Sequence, residues 1–443
     1  MNPYFIVIVF AVVLALMVYS SVKFKLSPFF GLVLASIIVG LIFFVEKDQV
    51  FTVIGHGFGK MLANIAFIII FGALLGELLS KANAFEAISA AVFRGPLRRY
   101  PDLALGSIGL IVGIPVFCDS GYLVLRNLKE ALGGSEKQKM RNTLMLATGL
   151  YLAHTLVPPT PGPLIIIEGL GASNRIADFI LIGGMISLLV LLIVFGINRF
   201  RLKGRQEDET HKTEEALSST PNKESVTLPK IHQGLVPLIL PLILIALGSL
   251  SKVFGFTLPW IQTISNPAMA LFLACLVALV LNPILLPQTV QISSEALTKV
   301  APVLLLTGAG GAFGAVMAET GFIEYLNIQS GKGIFVLIFI AFGIAALIKS
   351  LQGSSTGAIV VTTALLTPIL KTYDFGLSEN LAIYVAIGGG SMVASHTNDS
   401  YFWVIAKFEN YSIKNAITGW TATSVLLGIF ALMAALIIAS LAQ

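Results

Sequence analysis

Leu181–Ile197 reads LIGGMISLLVLLIVFGI, seventeen consecutive residues without a charged side chain. About 20 apolar residues span a bilayer as an α-helix, so this run reads as a membrane span. Phe5–Val18 and Val425–Leu441 show the same character near the two ends of the sequence. Of the 443 residues, 56% are hydrophobic and 12% charged, against roughly 25% charged in a soluble domain. Too few charges remain for a soluble surface. A β-barrel would need alternating segments of about ten residues, and these runs are unbroken and longer. The fold class expected is an all-α polytopic membrane protein.

Lys and Arg exceed Asp and Glu by five. The bases are scattered over short loops, which suits topology rather than nucleic acid, because short cytoplasmic loops carry the basic excess. Two cysteines, Cys118 and Cys275, are too few for a disulfide framework or a metal site, and no cofactor motif occurs. Met1–Ser20 lacks a positive region before its apolar core, and Lys23 and Lys25 follow it. It reads as a retained first helix with its N-terminus outside.

Placing Lys23/Lys25, Arg94–Arg99, Arg126–Arg141 and Arg199–Arg205 in the cytoplasm orders the first half, residues 1–198. Helices near 4–20, 27–45 and 61–79 cross alternately. A re-entrant hairpin near 102–128, a broken helix near 143–170 and a fifth helix near 176–198 follow. Residues 199–232 are hydrophilic and form a cytoplasmic linker. The second half, 233–443, repeats the plan with helices near 234–251, 267–282 and 300–320. It ends with a hairpin near 333–372, a broken helix near 380–408 and a last helix near 417–441. Asp119-Ser120-Gly121 aligns with Ser355-Thr356-Gly357, and Ala153-His154-Thr155 with Ser395-His396-Thr397, at nearly constant separation. Inverted repeats of this kind mark secondary transporters.

A helix broken at membrane depth survives only where protein or a polar cavity satisfies its backbone. Four breaks can be read: 113–121, 157–163, 352–357 and 395–400. Half-helix N-termini there offer donors to an anion, and the breaks carry hydroxyls and amides. The candidate substrate-binding residues are Ser120, Gly121, Pro159, Thr160, Gly162, Ser354, Ser355, Thr356, His396, Thr397 and Asn398. Asp119 and Asp399 are costly inside apolar sequence, so with His154 they are the candidate coupling residues. Glu77 and Glu319 read as side chains reaching the interface. Lys349 reads equally as facing an anionic substrate or as doing the same. Gly308–Gly311 reads as close helix packing.

Val157–Pro163, Gly308–Phe313, Gln352–Thr356 and above all Ala394–Trp403 resemble the gluconate permease family, proton-linked carriers of sugar acids and related hydroxy or amino acids. The resemblance runs from the first helix to the last. Thr160 stands where the family pattern usually has His, and Asp119 where it often has Glu. The resemblance implies an elevator-type homodimer in the bacterial inner membrane that moves a small carboxylate together with protons. D-serine, glycerate or another acid could replace gluconate, and Na⁺ could replace H⁺. An intramembrane enzyme is a rival class, but neither HExxH nor GxSxG occurs. A channel is the other, and its filter would need rings of like groups.

Overall fold

In a computed structural model, residues 27–44, 47–202, 229–255, 258–320, 333–372 and 375–441 are described, with Val12, Tyr19 and Lys23 besides. Apart from Val12 and Tyr19, the expected first helix lies outside them, as does most of the expected linker. Among the described residues the chain is helical throughout, and seven helices are long and apolar enough to cross a membrane.

The first half begins with α1 (Pro28–Phe43), α2 (Val50–Lys81) and a short amphipathic α3 (Ala84–Arg94). Two paired helices follow, α4 (Pro101–Val112) and α5 (Cys118–Ala131). Next come α6 (Glu136–Leu156), its continuation α7 (Pro161–Gly169), and α8 (Ile176–Arg201). The second half holds α9 (Ile231–Val253), α10 (Pro259–Ile264), α11 (Pro267–Leu281) and α12 (Thr289–Glu319). After them come the pair α13 (Ile334–Gln352) and α14 (Ser355–Thr372), the broken pair α15 (Leu377–Gly390) and α16 (Ser400–Phe408), and a last span α17 (Ile413–Ser440).

The long helices α2 and α12 pack along each other and against α1 and α11. Both begin about eleven residues before the positions expected from apolar content alone. The early turns carry His56 and Lys60 in α2, and Glu295 and Lys299 in α12, which look like loop residues in sequence. With about 1.5 Å of rise per residue, 32 residues reach past a hydrocarbon core of about 30 Å, so the polar turns belong to the overhang. Glycines permit the crossing. A Cβ on Gly57 would sit 2.6 Å from the Gly311 carbonyl oxygen, and one on Gly308 would meet the Phe58 ring at 2.4 Å.

Glu77, near the end of α2, meets a cation of the neighbouring helix. It is 8% exposed and pairs with Lys299 of α12, while Lys81 and Glu295 pair at 2.9 Å. An unpaired carboxylate in this packing would be costly, and the neighbouring helix supplies the cation.

Helices α4 and α6 also meet through glycine, because a Cβ on Gly149 would fall 2.0 Å from the Gly106 carbonyl oxygen. α6 is buried all round, from Asn142 to Leu156, and α15 likewise from Leu381 to Gly390. These two helices are the inner posts of a cluster in which α4, α5, α7, α8, α13, α14, α16 and α17 surround them. The four helix interruptions lie inside this cluster.

Candidate functional site

Between α13 and α14 the chain turns at Gly353, with φ +75°, a conformation that side chains disfavour. A Cβ there would also lie 2.0 Å from the Asn398 carbonyl oxygen. The turn therefore rests directly on the non-helical stretch 391–399 between α15 and α16. Two side chains from that stretch secure it. Asn398 Nδ2 donates to the Ser350 carbonyl at 2.5 Å, and His396 Nε2 lies 3.0 Å from the same oxygen.

Beneath this contact sits an ion pair. Lys349 Nζ donates to Asp399 Oδ2 at 2.6 Å, with the two side chains 1% and 4% exposed. Lys349 thus neither snorkels nor faces open space. Its ammonium also donates to the Gly353 carbonyl at 3.2 Å and lies 5.7 Å from the centre of the Tyr151 ring. Asp399 caps α16, accepting from the Tyr401 amide at 3.2 Å through Oδ1, which suits a carboxylate at a helix N-terminus. The Ser395 hydroxyl donates to Oδ2, and Trp420 Nε1 donates to Ser395 Oγ at 2.7 Å. The carboxylate is held from α13, from its own loop and, through Ser395, from α17.

The first half of the chain contributes α6. Tyr151 and Ser355 share a hydroxyl–hydroxyl hydrogen bond of 2.7 Å, and His154 Nε2 lies 3.3 Å from Thr356 Oγ1. From the tip of the α4–α5 pair, Asp119 Oδ2 accepts from Ser400 Oγ at 3.2 Å. Hydrogen bonds thus join Asp119, His154, Ser355, Thr356, His396, Asn398 and Asp399 into one region. Ser354 Oγ accepts from the Gly357 amide at 3.0 Å, finishing the first turn of α14. Gly121 and Gly162 serve close packing, since added Cβ atoms would meet Leu150 at 2.6 Å and Ile359 at 2.7 Å. Thr160 directs its hydroxyl to the Val157 carbonyl at 2.7 Å. The Thr397 carbonyl accepts from Trp403 Nε1 at 2.7 Å. Ser120 is half-buried in the first turn of α5.

Pro159, Thr160 and His154 line a small cleft of about 20 Å³, with Phe117 and with Ile69, Gly72 and Ala73 of α2. Within the region some polar atoms are buried without a protein partner: His154 Nδ1 and both amide atoms of Gln352. Orphaned groups of this kind need an explanation, commonly water or ligand. Tyr151, Ser395, Trp420 and Gln352 were absent from the sequence-based set. Gln352 and Ser395 lay inside stretches already singled out, whereas Tyr151 and Trp420 carried no local signal. Among the described residues no group of three or more His, Cys, Asp or Glu side chains is placed to hold a metal.

The GntP family permease profile matches residues 4–442. Over 97% of the chain and 98% of the relative, the sequence is 27% identical to the Gnt-II system L-idonate transporter of Escherichia coli. It is 24% identical to the high-affinity gluconate transporter of the same organism, again over 97% and 98%. With a gluconate permease of Pseudomonas aeruginosa it shares 27% over 93% and 92%. Two solved structures share the fold. They are the YdaH transporter of Alcanivorax borkumensis, with TM-score 0.57, 15% identity and 92% and 95% coverage, and MtrF of Neisseria gonorrhoeae, with 0.52, 16%, and 88% and 83%.

Proposed function

Starting from the fact that the chain belongs to the GntP permease family, and so is a multi-pass membrane permease and not an enzyme, we propose that it carries a gluconate-like sugar acid across the bacterial inner membrane by symport with protons. The substrate class rests on relatives that are gluconate and L-idonate transporters. The observation that carries the coupling is the buried Lys349–Asp399 pair, set beside the N-terminus of α14 and its hydroxyls.

Charge counting supplies the mechanism. Empty, the pair is neutral, and a buried region tolerates little uncompensated charge. A substrate carboxylate at Ser355, Thr356 and the free amides of the first turn of α14 adds one negative charge. One proton taken by Asp399 returns the site to neutrality. Substrate and proton therefore occupy the region together. The polyol of the sugar acid then faces groups that lack protein partners, Gln352 and His154 Nδ1, with Ser120, Thr160, Thr397 and the cleft beside α2 within the same region.

We assign the long helices α2 and α12 with their neighbours to a static scaffold, and the cluster around α6 and α15 to an elevator-like moving body, in a homodimer with inverted repeats. Gluconate uptake into proteoliposomes of purified protein tests the reading. An inward pH gradient should drive accumulation above the external concentration, and collapse by a protonophore should abolish it. Equilibration without accumulation would sink proton coupling. No saturable uptake of any sugar acid would sink the substrate class.

A further inference from the structure

The ammonium of Lys349 stands among oxygen atoms: Asp399 Oδ2 at 2.6 Å and the Gly353 carbonyl at 3.2 Å. Ser395 Oγ joins them through its bond to the same carboxylate oxygen. A carboxylate, a carbonyl freed by a left-handed turn and a hydroxyl, gathered where two helices are interrupted, are the donor set of a hard monovalent cation. The Lys349 side chain is 1% exposed. It enters from within the protein along α13 and places its ammonium between these oxygens.

We propose that the Lys349 ammonium is a tethered substitute for an alkali cation, so that the native carrier has no use for Na⁺, and that shortening this side chain uncovers a Na⁺ site. The inference names the driving ion and rests on the coupling reading above. A buried carboxylate stripped of its partner is strongly unfavourable, and Na⁺ is small enough to enter where the ammonium was and to complete its shell with water. Asp119 stands next in line, through Ser400, at 3.2 Å, and His154 lies behind Thr356 at 3.3 Å. Neither touches the ammonium, but both lie close enough to act through space on the Lys349–Asp399 pair, so the field at the site is theirs as well as the pair's.

The experiment purifies wild type, Lys349→Ala and the double variant Lys349→Ala/Asp399→Asn side by side in sodium chloride and in choline chloride, and compares thermal midpoints. Lys349→Ala should be recovered better in Na⁺, or show a midpoint higher by roughly 3 °C at saturating Na⁺. Wild type and the double variant should show no difference between salts. The inference is overturned if Lys349→Ala is folded and indifferent to Na⁺, or unfolded in both salts. It is overturned equally if wild type responds, or if the double variant responds as the single one does, since the ion would then act elsewhere. Proton-driven gluconate uptake by wild type in Na⁺-free liposomes is a separate measurement. Its failure would strike the coupling reading and leave the salt comparison standing.

Discussion

Asp399 receives a hydrogen bond from the Tyr401 amide at one carboxylate oxygen, and from Lys349 and Ser395 at the other. Asn at this position keeps the shape and caps a helix as well as Asp does, but it leaves the buried Lys349 ammonium without its partner, so Asp399→Asn should fold with a lowered thermal midpoint. It mimics the protonated state, and counterflow of labelled substrate should persist while accumulation driven by a pH gradient falls by at least about tenfold, a loss of roughly 1.4 kcal/mol or more in coupling. Intact pH-driven accumulation would remove Asp399 from the mechanism. Asn398→Ala deletes the 2.5 Å bond to Ser350. With the net worth of such a bond at about 0.5–1.5 kcal/mol, substrate binding measured by calorimetry should weaken by about two- to tenfold without loss of expression. Asp399 and Asn398 were legible in sequence because polar groups inside apolar runs are conspicuous. Their partners were not. Lys349 lies 50 positions from Asp399, and Tyr151 lies 204 from Ser355, and no periodicity encodes which of many buried side chains meet at such separations.

Helix α16 is fastened at both ends. Its N-cap is Asp399, and the residue after its last turn, Glu409, pairs with Lys129 of α5, the side chains 8% and 5% exposed. Tyr122 donates to Glu409 Oε1 at 2.6 Å and Thr143 to Oε2 at 3.0 Å. Removing one member of a buried pair typically costs about 3–5 kcal/mol, whereas replacing both by apolar groups is often neutral. Glu409→Gln should therefore lower the thermal midpoint sharply, and Lys129→Met/Glu409→Leu should recover most of it. A double variant no better than the single one would deny that charge compensation is the reason. Nothing in the sequence joined Lys129 to Glu409, and Asp102 with Arg199 at 3.5 Å was equally hidden. Glycine contacts give a second test at this scale. Gly57→Ala should destabilise by about 1–3 kcal/mol through overpacking of α2 on α12. Gly59→Ala has open space and should gain slightly from helix propensity. Equal effects in chemical denaturation would argue against that packing. Gly308–Gly311 was read correctly as a packing element, because small residues in an apolar helix have one common use.

For the whole molecule, composition alone established helices in a membrane, since long uncharged runs admit few other structures. Helix starts in α2 and α12 were misplaced because polar residues outside the bilayer look like loops. The short α3 was missed because eleven residues give little periodicity to read. Sidedness remains a prediction, resting on the basic clusters. Asn174, exposed between α7 and α8, should face outward, and Ser218 in the hydrophilic linker should face the cytoplasm. Both native cysteines are buried, so single introduced thiols can be followed with an impermeant maleimide. In intact cells Asn174→Cys should label and Ser218→Cys should not; the opposite pattern would invert the topology. The bond from Trp420 to Ser395 carries a further consequence. Trp420 is 1% exposed and Trp260 is 58% exposed, and the chain has three tryptophans. With Trp260 and Trp403 replaced by Phe, the remaining indole emits from a dry enclosure, one hydroxyl away from the Asp399 carboxylate. Its excited-state dipole senses the local field, so protonation or ligand arrival at that carboxylate becomes a colour change in ultraviolet fluorescence, readable in stopped flow without any attached dye.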